Sequence, residues 1–545
     1  MDKRSLLAIV LSIIVVFIFQ TFFLKPPPPK EPEAVSTQGV TAKPAATTLA
    51  TQNKTPAPER KAQPKARPST APATAPATAQ TREITVDSRF YTAVFTTKGG
   101  TLKSFKLKGY HKTQVKDAAL IELVQIMPGM PGPLGLTFTD SNIIVPADGI
   151  YETNESGLDL MKAPDRNRLT LISTYPDQIK IEKVYTFNPN GYDIEMEIRV
   201  SNLSNEPINQ NALLSWHEYV DPKTETDSYT HEGPVISVAK SVEREEVKKI
   251  KAEKVFGPDV SWGGFETKYF IAAMVPRNPS LTSMVVSQDS RNMVTTSLRG
   301  PKHLIPTGQV GLFNYTLYLG PKDYNILKAL DVGLEDAIDF GSWMKWLAMP
   351  MLLVLKFINN YVNNYGIAII ILTFLIKIAF WPLGNKSYKS MKEMQKLQPK
   401  IAELREKYKN EKQKIGQETM ALYKTHKVNP LGGCLPMVVQ IPVFFGLYRT
   451  LMQAIELRHA PFLWWIQDLS DKDPYYITPI IMGATMFLQQ KMSPPAGDPM
   501  QQKIMLIMPV VFTFLFLTFP SGLVIYWLFN NILSIGQQYY IIKKK

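Results

Sequence analysis

The sequence predicts a polytopic α-helical membrane protein of six spans, five of them a core bundle, carrying a large all-β sandwich domain outside the membrane. Three observations predict it. Apolar runs long enough to cross about 30 Å of hydrocarbon occur at the N-terminus and repeatedly after residue 360, while residues 25–340 contain none. That intervening stretch alternates polar and apolar residues between turn signals such as Gly-Gly and Asn-Pro-Asn-Gly, the pattern of short half-buried strands. The longest interval between the later apolar runs is strongly basic, as cytoplasmic loops of membrane proteins are.

Residues 1–24 carry Lys3 and Arg4 ahead of an apolar run from Leu6 to Leu24 with no small-x-small cleavage site, so they read as an uncleaved anchor. Residues 25–82 are rich in Pro, Ala and Thr and poor in large apolar groups, the composition of an extended tether. From Glu83 to about residue 325, segments such as "EKVYTFNPNGYDIEMEIRV" and "VGLFNYTLYL" predict the sandwich. Residues 326–362, with Pro350 inside an apolar core flanked by Trp343, Trp346 and Lys356, suit an amphipathic helix lying at the membrane surface.

A membrane core then occupies residues 363–541, with spans expected near 365–383, 431–454, 475–491, 504–519 and 522–541. "FPSG", Phe519 to Gly522, separates the last two, because Pro-Ser-Gly is a turn and the joined run exceeds one crossing. Between the first two of these spans, residues 385–428 carry twelve Lys and Arg against five Glu. Met391, Met394, Ile401, Leu404 and Tyr408 recur there at helical spacing, and "KNE" interrupts it, which predicts a basic helical hairpin. That basic segment and the terminal "KKK" both belong in the cytoplasm, so counting back places the N-terminus inside and the β domain outside.

The formal net charge of +14 is compatible with anionic partners, and positive-inside bias alone supplies part of it. The single cysteine, Cys434, excludes an intramolecular disulfide. His111, His217, His231 and His303 show no metal-ligand spacing, and neither a Walker A pattern nor a dinucleotide-binding glycine fingerprint is present, so no cofactor and no enzyme chemistry are expected.

The residue that demands a function is Lys377, inside "ILTFLIKIAFWPL". A charge at the bilayer centre costs about 2.5 to 3.5 kcal/mol on insertion scales. No acidic residue stands in any predicted span to pair with it. A satisfied structural lysine, a lysine snorkelling to the cytoplasmic edge and a wet cationic cavity are the three readings. Thr373 shares its helix face, and Tyr526, Asn530, Ser534 and Gln537 or Gln538 form a polar stripe at helical spacing on the last span. Gln440 with Tyr448, and Thr478 with Thr485 and Gln489, add polar faces on two others, and such faces should converge on a common interior. Methionines including Met482, Met486 and Met508 cluster in the fourth and fifth spans, where flexible thioethers suit a surface accepting varied apolar partners.

The motifs "LTFLIKIAFWPL", "LQPKI", "NPLGGCLPMVVQIPVFFGLY", "DPYYITPIIMGATMFLQQKMSP", "DPMQQKIMLIMPVVFTFLF" and "FPSGLVIYW", in this order, resemble the YidC/Oxa/Alb family of membrane protein insertases, in its Gram-negative form. The resemblance covers residues 340–541 by motif and extends in architecture to the anchor, tether and β domain. It implies a bacterial inner-membrane insertase and chaperone with both termini cytoplasmic and the β domain periplasmic. A hydrophilic, positively charged groove would open to cytoplasm and lipid. Lys377 stands where the family typically has arginine; Thr373, Gln440, Tyr526 and Asn530 would line the groove, with Trp527 where a second tyrosine is common. Met482, Met486, Met508 and Phe512 would form an apolar slide for substrate. Lys389, Lys392, Lys396 and Lys400 would contact the ribosome or lipid headgroups. Implied partners are nascent membrane proteins, the ribosome, membrane lipids and the Sec translocon. The alternative from another class is an ion- or solute-coupled transporter switched by Lys377, against which stand the absence of paired interrupted segments and of an intramembrane carboxylate.

Overall fold

The computed structural model describes residues 80–115, 117–223, 230–341, 343–409, 411–429, 435–493 and 499–543. The anchor over 1–24, the tether up to residue 79, Cys434 and the last two lysines lie outside the described residues.

Strands run from Glu83 to Pro321 and form three sheets. The largest has eight strands, with Ile179–Phe187, Asp193–Asn202, Val310–Pro321 and Phe270–Pro276 as consecutive antiparallel neighbours. The first two make a hairpin over the Asn-Pro-Asn-Gly turn, where Asn188 Nδ2 donates to Asp193 Oδ1 at 2.8 Å. Along Asp193–Asn202 the pleat sends Ile194, Met196, Ile198 and Val200 inward. Each such side chain contributes about 1.5 to 3 kcal/mol on burial, which pins the register, since a one-residue slip would turn all four to solvent. Aromatic residues fill the centre: Trp216 and Trp262 are buried, and the Phe95 ring lies 4.8 Å from that of Tyr185.

One inward position is not apolar. Lys183 falls in register with Ile179, Ile181, Tyr185 and Phe187 and is fully buried. Its Nζ donates to the carbonyls of Gly99, Gly100 and Leu134, each at 3.0 Å, and sits 5.0 Å from the Tyr151 ring. Gly99 and Gly100 turn with positive φ of 71° and 56°, a conformation glycine adopts without a Cβ clash, and this aims two carbonyls at one point. Burial pushes this ammonium down to about 7.

The chain leaves the sandwich through α1 (Tyr324–Ala329), whose first amides at Asn325 and Ile326 bond the Asp323 carboxylate. A charged triad stands at this exit: buried Glu266 accepts from half-buried Arg244 Nε at 2.7 Å and from buried Lys322 Nζ at 3.1 Å, and Arg244 also reaches the Ala337 carbonyl. The amphipathic segment expected over 326–362 is not one helix. It comprises α1, a 3-10 turn at Leu334–Ala337 and α2 (Lys345–Val362), because the left-handed Gly333 and Gly341 interrupt it. α2 buries Ala348, Met351, Leu352, Leu355 and Ile358 and exposes Leu353, Val354, Phe357 and Tyr361.

The remaining helices are α3 (Tyr365–Ala379), α4 (Trp381–Lys407), α5 (Lys412–Thr425), α6 (Leu435–Gln453), α7 (Ile477–Met492), α8 (Pro499–Phe516) and α9 (Ser521–Lys543). The span expected over 365–383 is not straight: α3 and α4 meet at Phe380 with a bend of 65°. Pro382 is the cause, since it has no N–H for the Ile378 carbonyl and its ring would strike it; the Phe380 amide takes up that carbonyl instead. The expected hairpin appears as α4 and α5, with Met394, Leu397 and Ile401 buried and Tyr408 at the break.

Among the described residues no single helix is long and apolar enough to cross a membrane alone, and the bent α3–α4 pair qualifies only taken together. The residues that lower hydropathy include Lys377, Gln440, Asn530, Asn531, Gln537 and Gln538, the same groups that make the interior of the bundle polar.

Candidate functional site

α9 organises the helical half, packing against α3, α4, α6 and α7, while α8 packs on α7. Tyr526, Asn530, Ser534, Gln537 and Gln538 all lie on its buried side. Several polar groups of α9 reach neighbouring elements. Asn531 Nδ2 donates to Thr485 Oγ1 on α7 at 3.3 Å, and Gln538 Nε2 reaches Ser493 Oγ at 3.4 Å, just past the end of α7. Gln537 Nε2 reaches α4, at the Trp381 carbonyl (3.2 Å) and at Asn385 Oδ1 (3.0 Å).

Lys377 projects from the last turn of α3 into this face. Its Nζ donates to Ser534 Oγ at 2.6 Å, and Ser534 Oγ donates in turn to the Asn530 carbonyl at 2.7 Å. Among the described residues no carboxylate pairs with Lys377, so a hydroxyl orients the ammonium without cancelling its charge. Tyr388 of α4 stands on the same side, 3.5 Å from the Ser534 carbonyl.

The other residues singled out in the sequence are placed as follows. Thr373 is buried one turn before Lys377, and its hydroxyl donates to its own helix at Ile369 O, 2.7 Å away. Gln440, half-buried on α6, faces the Tyr526 hydroxyl. That hydroxyl, Trp527 Nε1 and Gln538 Oε1 are buried without a hydrogen-bond partner of good geometry among the described residues. Buried polar atoms of this kind call for water or for a polar visitor.

Of the four residues expected to form an apolar slide, Met482 is fully enclosed, Met486 is half-buried and Met508 is exposed on the outer face of α8. Phe512 stacks on Trp527 with centroids 6.0 Å apart. The four do not make one surface, because helical spacing puts Met482 on the side of α7 that packs inward. Lys389, Lys396 and Lys400 are exposed along α4, Lys396 beside Glu393. Lys392 turns back to the Ile541 carbonyl at 3.5 Å, at the C-terminal end of α9 where a cation is favourable.

Sequence reasoning missed two features. One is the aromatic cluster of Phe444, Phe516 and Trp527, with the Phe444 and Trp527 rings edge to face at 4.9 Å. The other is Lys356, which bonds Asp323 at 3.0 Å and Glu456 at 2.6 Å and so ties the exit of the sandwich to the turn after α6. Burial disfavours that ammonium, but the Glu456 and Asp323 carboxylates outweigh it and hold its pKa above the usual lysine value.

Family models match both halves: "YidC periplasmic domain" over residues 83–354 and "60Kd inner membrane protein" over 357–545. A Membrane protein insertase YidC from Syntrophus aciditrophicus is 63% identical over 546 residues, covering 100% of both chains. The chain belongs to the YidC family of membrane protein insertases. Another insertase YidC, from Geobacter metallireducens, is 42% identical over 544 residues, covering 100% of this chain and 98% of its own. A solved structure of an active YidC insertase with its first transmembrane domain resolved aligns at 19% identity with a TM-score of 0.38, covering 86% of this chain and 94% of its own. YidC membership makes this a bacterial inner-membrane protein with a periplasmic β domain, and it removes the transporter alternative.

Proposed function

We infer that this insertase works through a hydrated, positively charged groove between α3, α6 and α9, open to cytoplasm and lipid, with Lys377 as its charge. The observation that carries this reading is the Lys377–Ser534–Asn530 chain: a lysine held on a hydroxyl has no carboxylate to offset its charge and stays turned into the bundle. A snorkelling lysine would instead extend to the aqueous edge. The Tyr526 hydroxyl, which has only Gln440 before it, and the Gln538 Oε1 without a partner point to water or substrate along the buried side of α9.

A wet path partway through the bilayer shortens the distance over which a substrate's hydrophilic end meets hydrocarbon, a passage of several kcal/mol per charge. Lys377 would draw the polar end of an incoming chain inward, while Gln440, Tyr526 and Asn530 replace some of its hydration. The substrate's apolar segment then leaves along the outer faces, where Met508, Phe514 and Leu506 of α8 are exposed. Its transfer into lipid is driven by about 0.8 kcal/mol per buried CH₂. Transfer of this kind breaks no covalent bond and needs no nucleotide.

In this reading the five helices α3, α6, α7, α8 and α9 are spans, the N-terminal anchor is the sixth, both termini are cytoplasmic and α2 lies at the periplasmic surface of the membrane. Photocrosslinking to a ribosome-bound nascent membrane protein tests it. Crosslinks are expected from Gln440 and Lys377 and not from Phe374 or Ile378 on the lipid side of α3; equal yields from both sets would reject the groove.

The exposed lysines of α4 are the proposed contact for ribosomes or lipid headgroups, and the Sec translocon is a proposed neighbour in the membrane. Attraction from exposed charges is screened over about 10 Å at 0.1 M salt. Reversing Lys389, Lys396 and Lys400 to glutamate should therefore weaken ribosome co-sedimentation at low salt and matter little at high salt. Unchanged binding at low salt would leave these lysines as topology signals only.

The β domain should be dispensable for insertion, because every proposed groove residue follows residue 360. Deleting 83–320 while keeping Asp323 onward leaves both carboxylates on Lys356. Such a variant should complement a depletion strain; a stable but inactive product would count against the groove.

A further inference from the structure

We propose that Gln537 is a positioning residue for the groove charge: by bracing the first turn of α4 it holds the 65° bend at Phe380 and so keeps Lys377 on Ser534. The inference rests on the reading of Lys377 as that charge.

The bend itself is a weak determinant of geometry. Pro382 breaks the helical ladder and leaves the Phe380 amide to the Ile376 and Ile378 carbonyls, which permits a kink without setting its angle. The angle must come from ties beyond the break, and α9 supplies them. α9 is one uninterrupted helix over Ser521–Lys543. Ser534 and Gln537 are three residues apart on it and share a face. Ser534 holds Lys377 on the α3 side of the bend, and Gln537 holds the Trp381 carbonyl and Asn385 Oδ1 on the α4 side. A straight helix bonded to both arms acts as a splint.

Close approach makes the splint stiff. A Cβ at Gly384 would lie 2.7 Å from Gln537 Nε2 and 2.9 Å from its Oε1, so the amide sits directly on the backbone of α4. Gln537 is itself buried, which strengthens its hydrogen bonds and makes their loss expensive. If the first turn of α4 swung away, the last turn of α3 would rotate with it. Lys377, four residues before Trp381, would then be free to extend toward the cytoplasmic edge.

The test uses the full-length protein in nanodiscs. Nitroxides at Phe374 and Glu403, both exposed, report the bend by pulsed EPR, and a Lys377→Cys background reports the site through its labelling rate with a water-soluble maleimide. Gln537→Leu keeps the volume and removes both donated bonds. It should broaden and shift the distance distribution and raise the labelling rate roughly tenfold, the scale of one to two neutral hydrogen bonds. With Lys377 present it should lower insertion of an acidic-tailed substrate and spare a neutral-tailed one. Gly384→Ala, which displaces the Gln537 amide and removes no polar group, should give the same three changes and serves if the leucine variant is unstable. Unaltered distances and labelling in either variant overturn the proposal whatever happens to insertion, and equal loss of both substrates with an unaltered bend overturns it too. Failure of the groove reading is separate: Lys377→Ala would then insert both tails alike even while Gln537→Leu opens the bend.

Discussion

Replacing Lys377 by alanine is expected to lower insertion of a substrate with an acidic translocated tail by about thirtyfold and to leave a neutral-tailed version of the same substrate nearly unaffected. The magnitude follows from Coulomb attraction: a carboxylate about 8 Å from the ammonium at an effective dielectric of about 20 gains about 2 kcal/mol, and each 1.4 kcal/mol is tenfold. Lys377→Glu should be worse, since it converts attraction into repulsion of similar size. Lys377→Arg should be tolerated, because Ser534 Oγ accepts from either cation and nothing at the site matches the bidentate fork of a guanidinium. Protease protection in proteoliposomes with the paired substrates measures all three. Equal insertion of both tails by wild type and Lys377→Ala would make the lysine a structural group.

The second large effect lies in the β domain. Lys183→Met should destabilise the sandwich by about 4 kcal/mol, because it orphans the Gly99 and Leu134 carbonyls at about 1 to 3 kcal/mol each and leaves the Gly100 carbonyl only the long bond from the Tyr185 hydroxyl at 3.5 Å, partly offset by apolar burial. That is a large share of the roughly 5 to 15 kcal/mol that holds a domain together. The effect should depend on pH. The folded pKa is pushed down to about 7 from an ordinary 10.5, so between these values the unfolded chain binds more protons than the folded one. Stability from this group therefore rises with pH across that window. The protection factors of the Ile179–Phe187 amides in the full-length protein, with exchange corrected for its intrinsic base catalysis, should rise from about pH 7 to 9 in wild type, and not in Lys183→Met. The same protection in both proteins at every pH would refute the prediction.

If the groove reading holds, the two halves use one amino acid in opposite ways. Lys183 is surrounded by three carbonyls and a ring, so it is consumed by the fold. Among the described residues Lys377 has a single hydroxyl, itself committed to the Asn530 carbonyl, which in the proposed groove would leave its charge for an incoming chain.

Much of this was legible in the sequence, because it depends on local periodicity and on the cost of burying polar groups. Alternation places Ile194, Met196, Ile198 and Val200 inward, and the Asn-Pro-Asn-Gly turn joins their strand to the one before. Helical spacing puts Tyr526, Asn530, Ser534 and Gln537 on one face of α9, and the lack of any acidic residue in the predicted spans leaves Lys377 without an ion pair. "FWPL" holds the proline that bends α3 into α4, although the span was expected to run straight through it. Tertiary structure alone decided the partners: that Lys377 meets Ser534 rather than Asn530, that Gln537 rather than Gln538 reaches α4, that Met482 is enclosed while Met508 is exposed, and that Lys356 joins Asp323 to Glu456. The physical reason is that periodicity specifies which face a side chain takes, whereas the contact it makes depends on the rotation and separation of whole helices. Those are set by close approaches such as Gly384 against Gln537, between residues 153 positions apart in the chain.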